Sequence, residues 1–83
     1  MIRQHIINRR KELMITQSEV AKVAGIARSS YAAIERGLRS PSLRTAQLIS
    51  VMLHMDINEA FPINTLRKEK EANEENQIET ADA

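Results

Sequence analysis

Signals that begin and end helices follow one another closely along the first sixty residues, and they limit the possible folds more than any other feature. Thr16 precedes Glu19, and Asp56 precedes Glu59, by the three residues of a capping box. Gly25 follows an apolar stretch at a place suited to a left-handed helix end. Helices bounded so closely have only about eight residues, too few for stability in isolation. The pattern therefore predicts a bundle of five short helices.

The apolar residues repeat at helical spacing inside these segments, which predicts their inner faces. A first helix over about residues 2–13 has Ile2, Ile6, Arg10 and Leu13 on one side, and a third helix covers about residues 28–36. Only two residues are aromatic and no strand-like alternation is present, so an all-α fold is favoured over a β-sandwich or barrel. The core positions expected in the second, third and fourth helices are Val20, Ala21, Val23, Ala24, Tyr31, Ile34, Leu43, Ala46, Leu48, Ile49, Met52 and Leu53.

The composition excludes several functional classes. The 83 residues include no cysteine and two histidines far apart in sequence, so we expect neither a disulfide scaffold, a metal centre nor a cofactor. No apolar run approaches the ~18 residues that span a bilayer, and no signal peptide is recognisable, so a cytoplasmic location is expected. No nucleophilic triad, carboxylate pair or phosphate-binding loop is recognisable. The sequence favours a binding protein over an enzyme.

The charge is unevenly distributed and suggests two regions. Residues 1–63 carry nine basic and five acidic side chains, whereas residues 64–83 carry three basic and six acidic ones. The second region has Leu66 and Ile78 as its only large apolar residues, so we predict a mostly disordered acidic tail. Such a tail either increases solubility or contacts a partner. Residues 1–63 are predicted to form the folded domain.

The spacing of the second and third helices is that of a helix-turn-helix motif. The turn begins at Gly25, Ile26 can hold the two helices together, and Ala21 is small enough for a close helix crossing. In this motif the second helix enters the major groove of double-stranded DNA. Short helical hairpins also occur in bundles that bind no nucleic acid, so the spacing alone leaves both interpretations open.

The residues themselves resemble a known family. The stretch TQSEVAKVAGIARSSYAAIERGLRSPSLRTAQLISVML, followed by HMDINEAF, is similar to the Cro/phage-repressor (Xre-type) helix-turn-helix domain. The resemblance covers about residues 2–61 and implies a lambda-repressor-like five-helix domain, usually homodimeric, that regulates transcription in bacteria, phages or mobile elements. Its most specific elements are Thr16-Gln17, Glu35-Arg36-Gly37, Pro41-Ser42, and Arg10 six residues before Thr16.

This resemblance also implies which residues contact DNA. The implied base-reading positions are Ala27, Arg28, Ser29 and Ala33. Arg28 can bond to two atoms of guanine, and the two alanines suit thymine methyl groups or a close approach of the helix. Ser29 suits a base, a phosphate or simply solvent. The implied phosphate-binding residues are Gln17, Arg36, Arg39, Ser40 and Arg44, of which Arg36 is the weaker candidate because a solvated basic side chain is its usual explanation.

Other implied roles concern stability. Arg10 and Glu35 lie on inward faces and pair in the family, so we expect a structural ion pair. Met14 and His54 occupy positions where the family commonly has glycine. Ala27 replaces the usual Ser/Thr cap of the third helix, which is the recognition helix that enters the DNA groove in this family. Each departure is expected to cost about 1 kcal/mol.

The last apolar cluster of the domain is expected to form a dimer interface. The resemblance places the interface there, and a two-fold dimer predicts an approximately palindromic operator. The alternative is that these residues complete the core of a monomer. A protein-binding, antitoxin-like or adaptor module is the alternative function. For a transcriptional regulator, the partner that an acidic tail could contact is RNA polymerase or an antirepressor. The expected interface residues are Met52, Met55, Ile57, Phe61 and Ile63.

Overall fold

The computed structural model describes residues 1–62, and in that range it contains five α-helices and no strand. The all-α, five-helix architecture predicted from the sequence is confirmed. Ile63 and the acidic tail, residues 64–83, lie outside the described residues. The helices are α1 (Gln4–Glu12), α2 (Gln17–Ala24), α3 (Arg28–Glu35), α4 (Leu43–Met52) and α5 (Ile57–Ala60).

Side-chain caps begin α2, α4 and α5, and those of α2 and α5 are the capping boxes predicted from the sequence. The Thr16 hydroxyl accepts from the Glu19 amide at 3.1 Å, and the Glu19 carboxylate accepts from the Thr16 amide at 2.8 Å. Ser42 caps α4, and the capping box predicted at Asp56 opens α5. By contrast, α3 begins after Ala27 with no side-chain cap, as expected. Helix starts that depend on local hydrogen bonds could therefore be predicted from the sequence.

The start of α1 was predicted two residues too early. The Arg3 amide donates to the Glu35 carbonyl at 2.8 Å, so residues 1–3 lie against the end of α3 and do not extend α1. Ile2 is consequently 58% exposed instead of facing the core. Val23 is also exposed because it lies beyond the edge of the α2 face that buries Val20, Ala21 and Ala24.

No helix within residues 1–62 has the length and hydropathy needed to cross a membrane.

The core is built around α2, which packs against both α3 and α4. Leu13, Ile15 and Ile26 are partly buried and pack against the edge of the core. The buried apolar residues are Ile6, Val20, Ala21, Ala24, Tyr31, Ile34, Ala46, Ile49, Leu53, Ala60 and Phe61.

Two non-glycine residues have the left-handed backbone conformation that the sequence suggested. Met14 has φ of 59° and His54 has φ of 56°, each just after a helix. Met14 is 89% exposed, so its side chain contributes little packing that could offset this strain. The turns keep the geometry that glycine would favour, although glycine is absent from both positions.

Substitution of Met14 by Gly is expected to raise the free energy of unfolding by about 1 kcal/mol, because glycine adopts this conformation without steric cost. Urea unfolding followed by circular dichroism measures the change. Met14→Ala is the matched control, since it removes the side chain and retains the strain, and its stability should stay near that of the wild type. Equal stabilities for the Gly and Ala variants would contradict the prediction.

Candidate nucleic-acid interface

The α2–turn–α3 unit has the geometry predicted for a helix-turn-helix. Gly25 ends α2 in the left-handed conformation, with φ of 74°. The Ile26 amide donates to the Ala21 carbonyl at 3.0 Å, and the Ile26 side chain packs against the core. Ala21 is almost fully buried. These contacts fix the direction of α3 relative to α2.

The two sides of α3 have different environments. Tyr31, Ile34 and Glu35 are buried, whereas Arg28 and Ser29 are exposed at the N-terminal end of the helix. Of the remaining predicted base-reading positions, Ala27 is exposed and Ala33 is half-buried. Glu35 is the only acidic residue of α3, and it is buried, so the exposed side of α3 carries no carboxylate. This side can therefore approach a polyanion without a repulsive charge of its own.

The other predicted phosphate-binding residues follow α3 in the chain. Arg36, Arg39 and Arg44 are exposed, and Ser40 is half-buried in the loop between α3 and α4. The Arg39 guanidinium donates to the Ser30 hydroxyl at 3.3 Å, so its side chain extends back along α3. Of the predicted phosphate-binding residues, Arg39 is thus held beside α3 by this contact.

A cleft of about 480 Å³ lies at the N-terminus of α2, next to α3. Its walls include Gln17, Arg28 and Lys11. No role was predicted for Lys11, because it belongs to α1 and nothing in the sequence indicates that the fold brings it to this cleft. A helix N-terminus flanked by two cations favours an anionic group.

Gln17 has a structural partner that sequence reasoning missed. Its side-chain amide nitrogen donates to the Glu35 carboxylate at 2.9 Å. An amide nitrogen carries two hydrogens, so the second hydrogen can still bind a phosphate. Gln17 therefore connects the start of α2 to α3 and can also serve the predicted DNA contact.

Arg10 and Glu35 meet between α1 and α3, as the resemblance implied. Arg10 Nε lies 2.6 Å from Glu35 Oε2, and Arg10 Nη2 lies 3.3 Å from Glu35 Oε1. Their side chains are 11% and 4% exposed. Arg10 Nη1 also donates to the Ile15 carbonyl at 3.0 Å. Together with Gln17, the pair connects three helices in a largely desolvated position.

This environment shifts the pKa values of the groups within it. Burial alone would raise the pKa of Glu35, but hydrogen bonds from Arg10 and Gln17 outweigh burial and lower it below its usual value. The hydrogen bond to Glu35 raises the pKa of Arg10. Burial, followed by the nearby Glu35 carboxylate, raises the pKa of Tyr31, whose hydroxyl has no hydrogen bond of good geometry within the described residues. The carboxylate and guanidinium therefore remain charged at neutral pH.

The predicted dimer residues have different environments. Phe61 is 1% exposed and belongs to the core, so it is not available as an interface contact in this conformation. Its ring packs in the core cluster and is covered by the Arg3 guanidinium. Met52, Met55 and Ile57 are half-buried at the edge of the core. Val51, 75% exposed beside Met52, was missed, although five of the six residues from 48 to 53 are apolar, more than one buried helix face requires.

A helix that packs one face into the core, a left-handed glycine turn and a second helix with an exposed, arginine-bearing side have the arrangement of a helix-turn-helix DNA-binding domain. Within residues 1–62, no group of three or more His, Asp or Glu side chains is arranged to hold a metal ion. A helix-turn-helix family profile matches residues 6–59. The chain belongs to this family, Xre type, whose members are DNA-binding transcriptional regulators and not enzymes.

Two relatives come from Bacillus phage phi105. The ImmF control region 10 kDa protein is 36% identical over 53 residues, 64% of this chain and 59% of that protein. The immunity repressor protein is 36% identical over 63 residues, 76% of this chain and 44% of that protein. The similarity thus spans less than two thirds of either phage protein.

A bacterial regulator and a solved structure are also similar. The uncharacterized HTH-type transcriptional regulator YqaF of Bacillus subtilis is 41% identical over 56 residues, 68% of this chain and 74% of that protein. A chain of the SinR protein/SinI protein complex superimposes with a TM-score of 0.65 at 32% identity, over 94% of this chain and 79% of that chain. The fold is therefore shared with a protein solved in complex with a protein partner.

Proposed function

We propose that this protein is a sequence-specific repressor that binds an approximately palindromic DNA operator as a homodimer, in the cytoplasm, and regulates a phage, mobile-element or restriction–modification type system. The observation that carries this proposal is the exposed side of α3, where Arg28 and Ser29 project from the helix start and no carboxylate is present. The names of the phage relatives, an immunity repressor and a control-region protein, support the biological setting.

The dimer is proposed from the partly exposed apolar group at the end of α4 and start of α5. This group consists of Val51, Met52, Met55 and Ile57. Joining two such groups about a two-fold axis would place two recognition helices about 34 Å apart, one turn of DNA. Each domain contacts few phosphates, so pairing two domains would supply much of the affinity.

The proposal predicts that Arg28→Ala loses a preference for guanine. In selection from random duplex DNA, the wild-type protein should enrich a two-fold-symmetric site, and the variant should discriminate less at the guanine by about 1–3 kcal/mol. Sequencing the bound DNA and measuring Kd for the enriched site and a guanine-substituted site test this expectation.

Arg36→Ala is the matched control, because it removes the same charge from the other end of α3. As a phosphate-contact variant it should weaken binding to both sites equally and leave the consensus unchanged. Absence of any enriched site for the wild-type protein, with binding that depends only on salt, would refute the sequence-specific repressor.

The second candidate is a module that acts mainly through protein–protein contacts. It is favoured by the exposed Val51 and by the SinR–SinI complex, in which a structurally similar chain is paired with another protein. Loss of a protein partner on Arg28→Ala without loss of DNA binding would support this alternative.

A further inference from the structure

Arg3 is a buried arginine that lies outside every helix. Only 8% of the residue is exposed, and its guanidinium lies over the Phe61 ring, with Cζ 5.5 Å from the ring centroid. No carboxylate of residues 1–62 forms an ion pair with it. Burial of an arginine is costly unless its donors are satisfied, so the hydrogen bonds of this guanidinium indicate what it does.

Those hydrogen bonds connect two different elements. Arg3 Nη1 donates to the Ile34 carbonyl in the last turn of α3 at 2.6 Å, and to the Arg39 carbonyl in the loop between α3 and α4 at 3.1 Å. The carbonyl groups at a helix C-terminus carry partial negative charge and favour a cation. One nitrogen atom therefore fixes the distance between the end of the recognition helix and the following loop.

The loop is held from both sides at Arg39. Its backbone carbonyl accepts the Arg3 hydrogen bond on the inner side, and its guanidinium donates to the Ser30 hydroxyl of α3 on the outer side. The Arg3 backbone is itself attached to α3, through the bond from its amide to the Glu35 carbonyl at 2.8 Å. Displacement of the Arg3 side chain would release the inner attachment and leave Arg39 held only by the bond from its own side chain to Ser30, so that its backbone could move with the loop.

We propose that Arg3 is a positioning residue for DNA binding, which holds the α3–α4 loop so that Arg39 meets a phosphate beside the recognition helix. The inference rests on the proposed DNA-binding role of Arg39. Arg3 lies outside the helix-turn-helix motif and does not itself contact DNA. In this proposal it sets the geometry of the DNA-backbone contact that Arg39 makes.

The test compares wild type and Arg3→Met by fluorescence anisotropy on a mixed-sequence duplex of about 30 base pairs, at several NaCl concentrations. Arg3→Met keeps an apolar stem over Phe61 and removes both hydrogen bonds. We expect the magnitude of the slope of log K against log salt to fall by about 0.9, the value of one phosphate contact. Arg3→Lys, which retains a cation with several donors, should restore part of the slope.

The same comparison in an Arg39→Ala background separates positioning from a general loss of stability. Arg3→Met should still lower the melting temperature there but should no longer change the salt slope. A wild-type slope for folded Arg3→Met, or an equal loss of slope in both backgrounds, would overturn the proposal. If Arg3→Met fails to fold, Arg3→Gln replaces it in both the wild-type and the Arg39→Ala backgrounds. An unchanged salt slope for Arg3→Gln would again overturn the proposal.

This experiment does not depend on an operator. Its mixed-sequence duplex reports phosphate contacts alone, whereas the repressor proposal is judged by whether selection enriches a symmetric site. A failure of sequence-specific repression and a failure of the Arg3 inference would therefore give different results.

Discussion

Replacement of Arg10 by Met is expected to lower the free energy of unfolding by about 3–5 kcal/mol, because it leaves the Glu35 carboxylate buried without its cation. Glu35 is 4% exposed on its side chain and would retain only the Gln17 amide as a strong partner. A domain of about sixty residues has a total stability of only several kcal/mol, so the variant should be largely unfolded at 37 °C. Urea unfolding followed by circular dichroism measures the loss.

Two further variants establish the cause of this loss. Glu12→Gln removes the exposed ion pair with Arg9, at 3.4 Å, and should change the stability by less than about 1 kcal/mol. The double variant Arg10→Met with Glu35→Leu strands no charge and should recover most of the stability. A single Arg10→Met variant as stable as Glu12→Gln would refute the structural role, and a stable double variant that fails to bind DNA would indicate that the pair also serves the DNA contact, directly or by orienting Gln17.

Replacement of Gly37 by Ala is expected to cost about 2–4 kcal/mol, the second largest effect. Gly37 has φ of 77°, and an added Cβ would overlap the backbone carbonyl group of Met1. The variant must bear the left-handed strain and also displace residues 1–3, which carry the hydrogen bonds of Arg3. The free energy of unfolding in urea measures the total.

Gly25→Ala is the matched control for this prediction. Gly25 has nearly the same φ, 74°, but no atom lies within 4 Å of the position that a Cβ would occupy. It should lose only the conformational term, about 1 kcal/mol. Similar losses at the two glycines would show that the segment before α1 moves aside without cost, against the prediction.

The sequence predicted those parts of the fold that depend on local interactions. The starts of α2, α4 and α5 follow from hydrogen bonds within a few residues, and the left-handed backbone at Met14 follows from the turn that surrounds it. The start of α1 could not be predicted in this way. It is set by a bond from Arg3 to Glu35, residues far apart in the chain.

The candidate site shows the same division between local and tertiary information. The exposed position of Arg28 follows from helical periodicity, because the opposite side of α3 is apolar. The bond from Gln17 to Glu35 and the presence of Lys11 in the cleft depend on how α1 packs against α2 and α3. The burial of Phe61 also depends on tertiary structure. The sequence identifies this residue as apolar, but whether it is enclosed depends on how the end of α5 packs against the rest of the domain.

The separation of the two sides of α3 has a consequence for how such a protein can diverge. Residues 27–29 are all exposed at the helix start, whereas Tyr31, Ile34 and Glu35 hold the helix in place. In the proposed DNA complex, exchanging the first group would alter the chemistry offered to the bases without touching the core, so duplicated copies could acquire new target sites through a few surface substitutions. Specificity and stability would then depend on different residues, the first group at the start of this eight-residue helix and the second along its buried side.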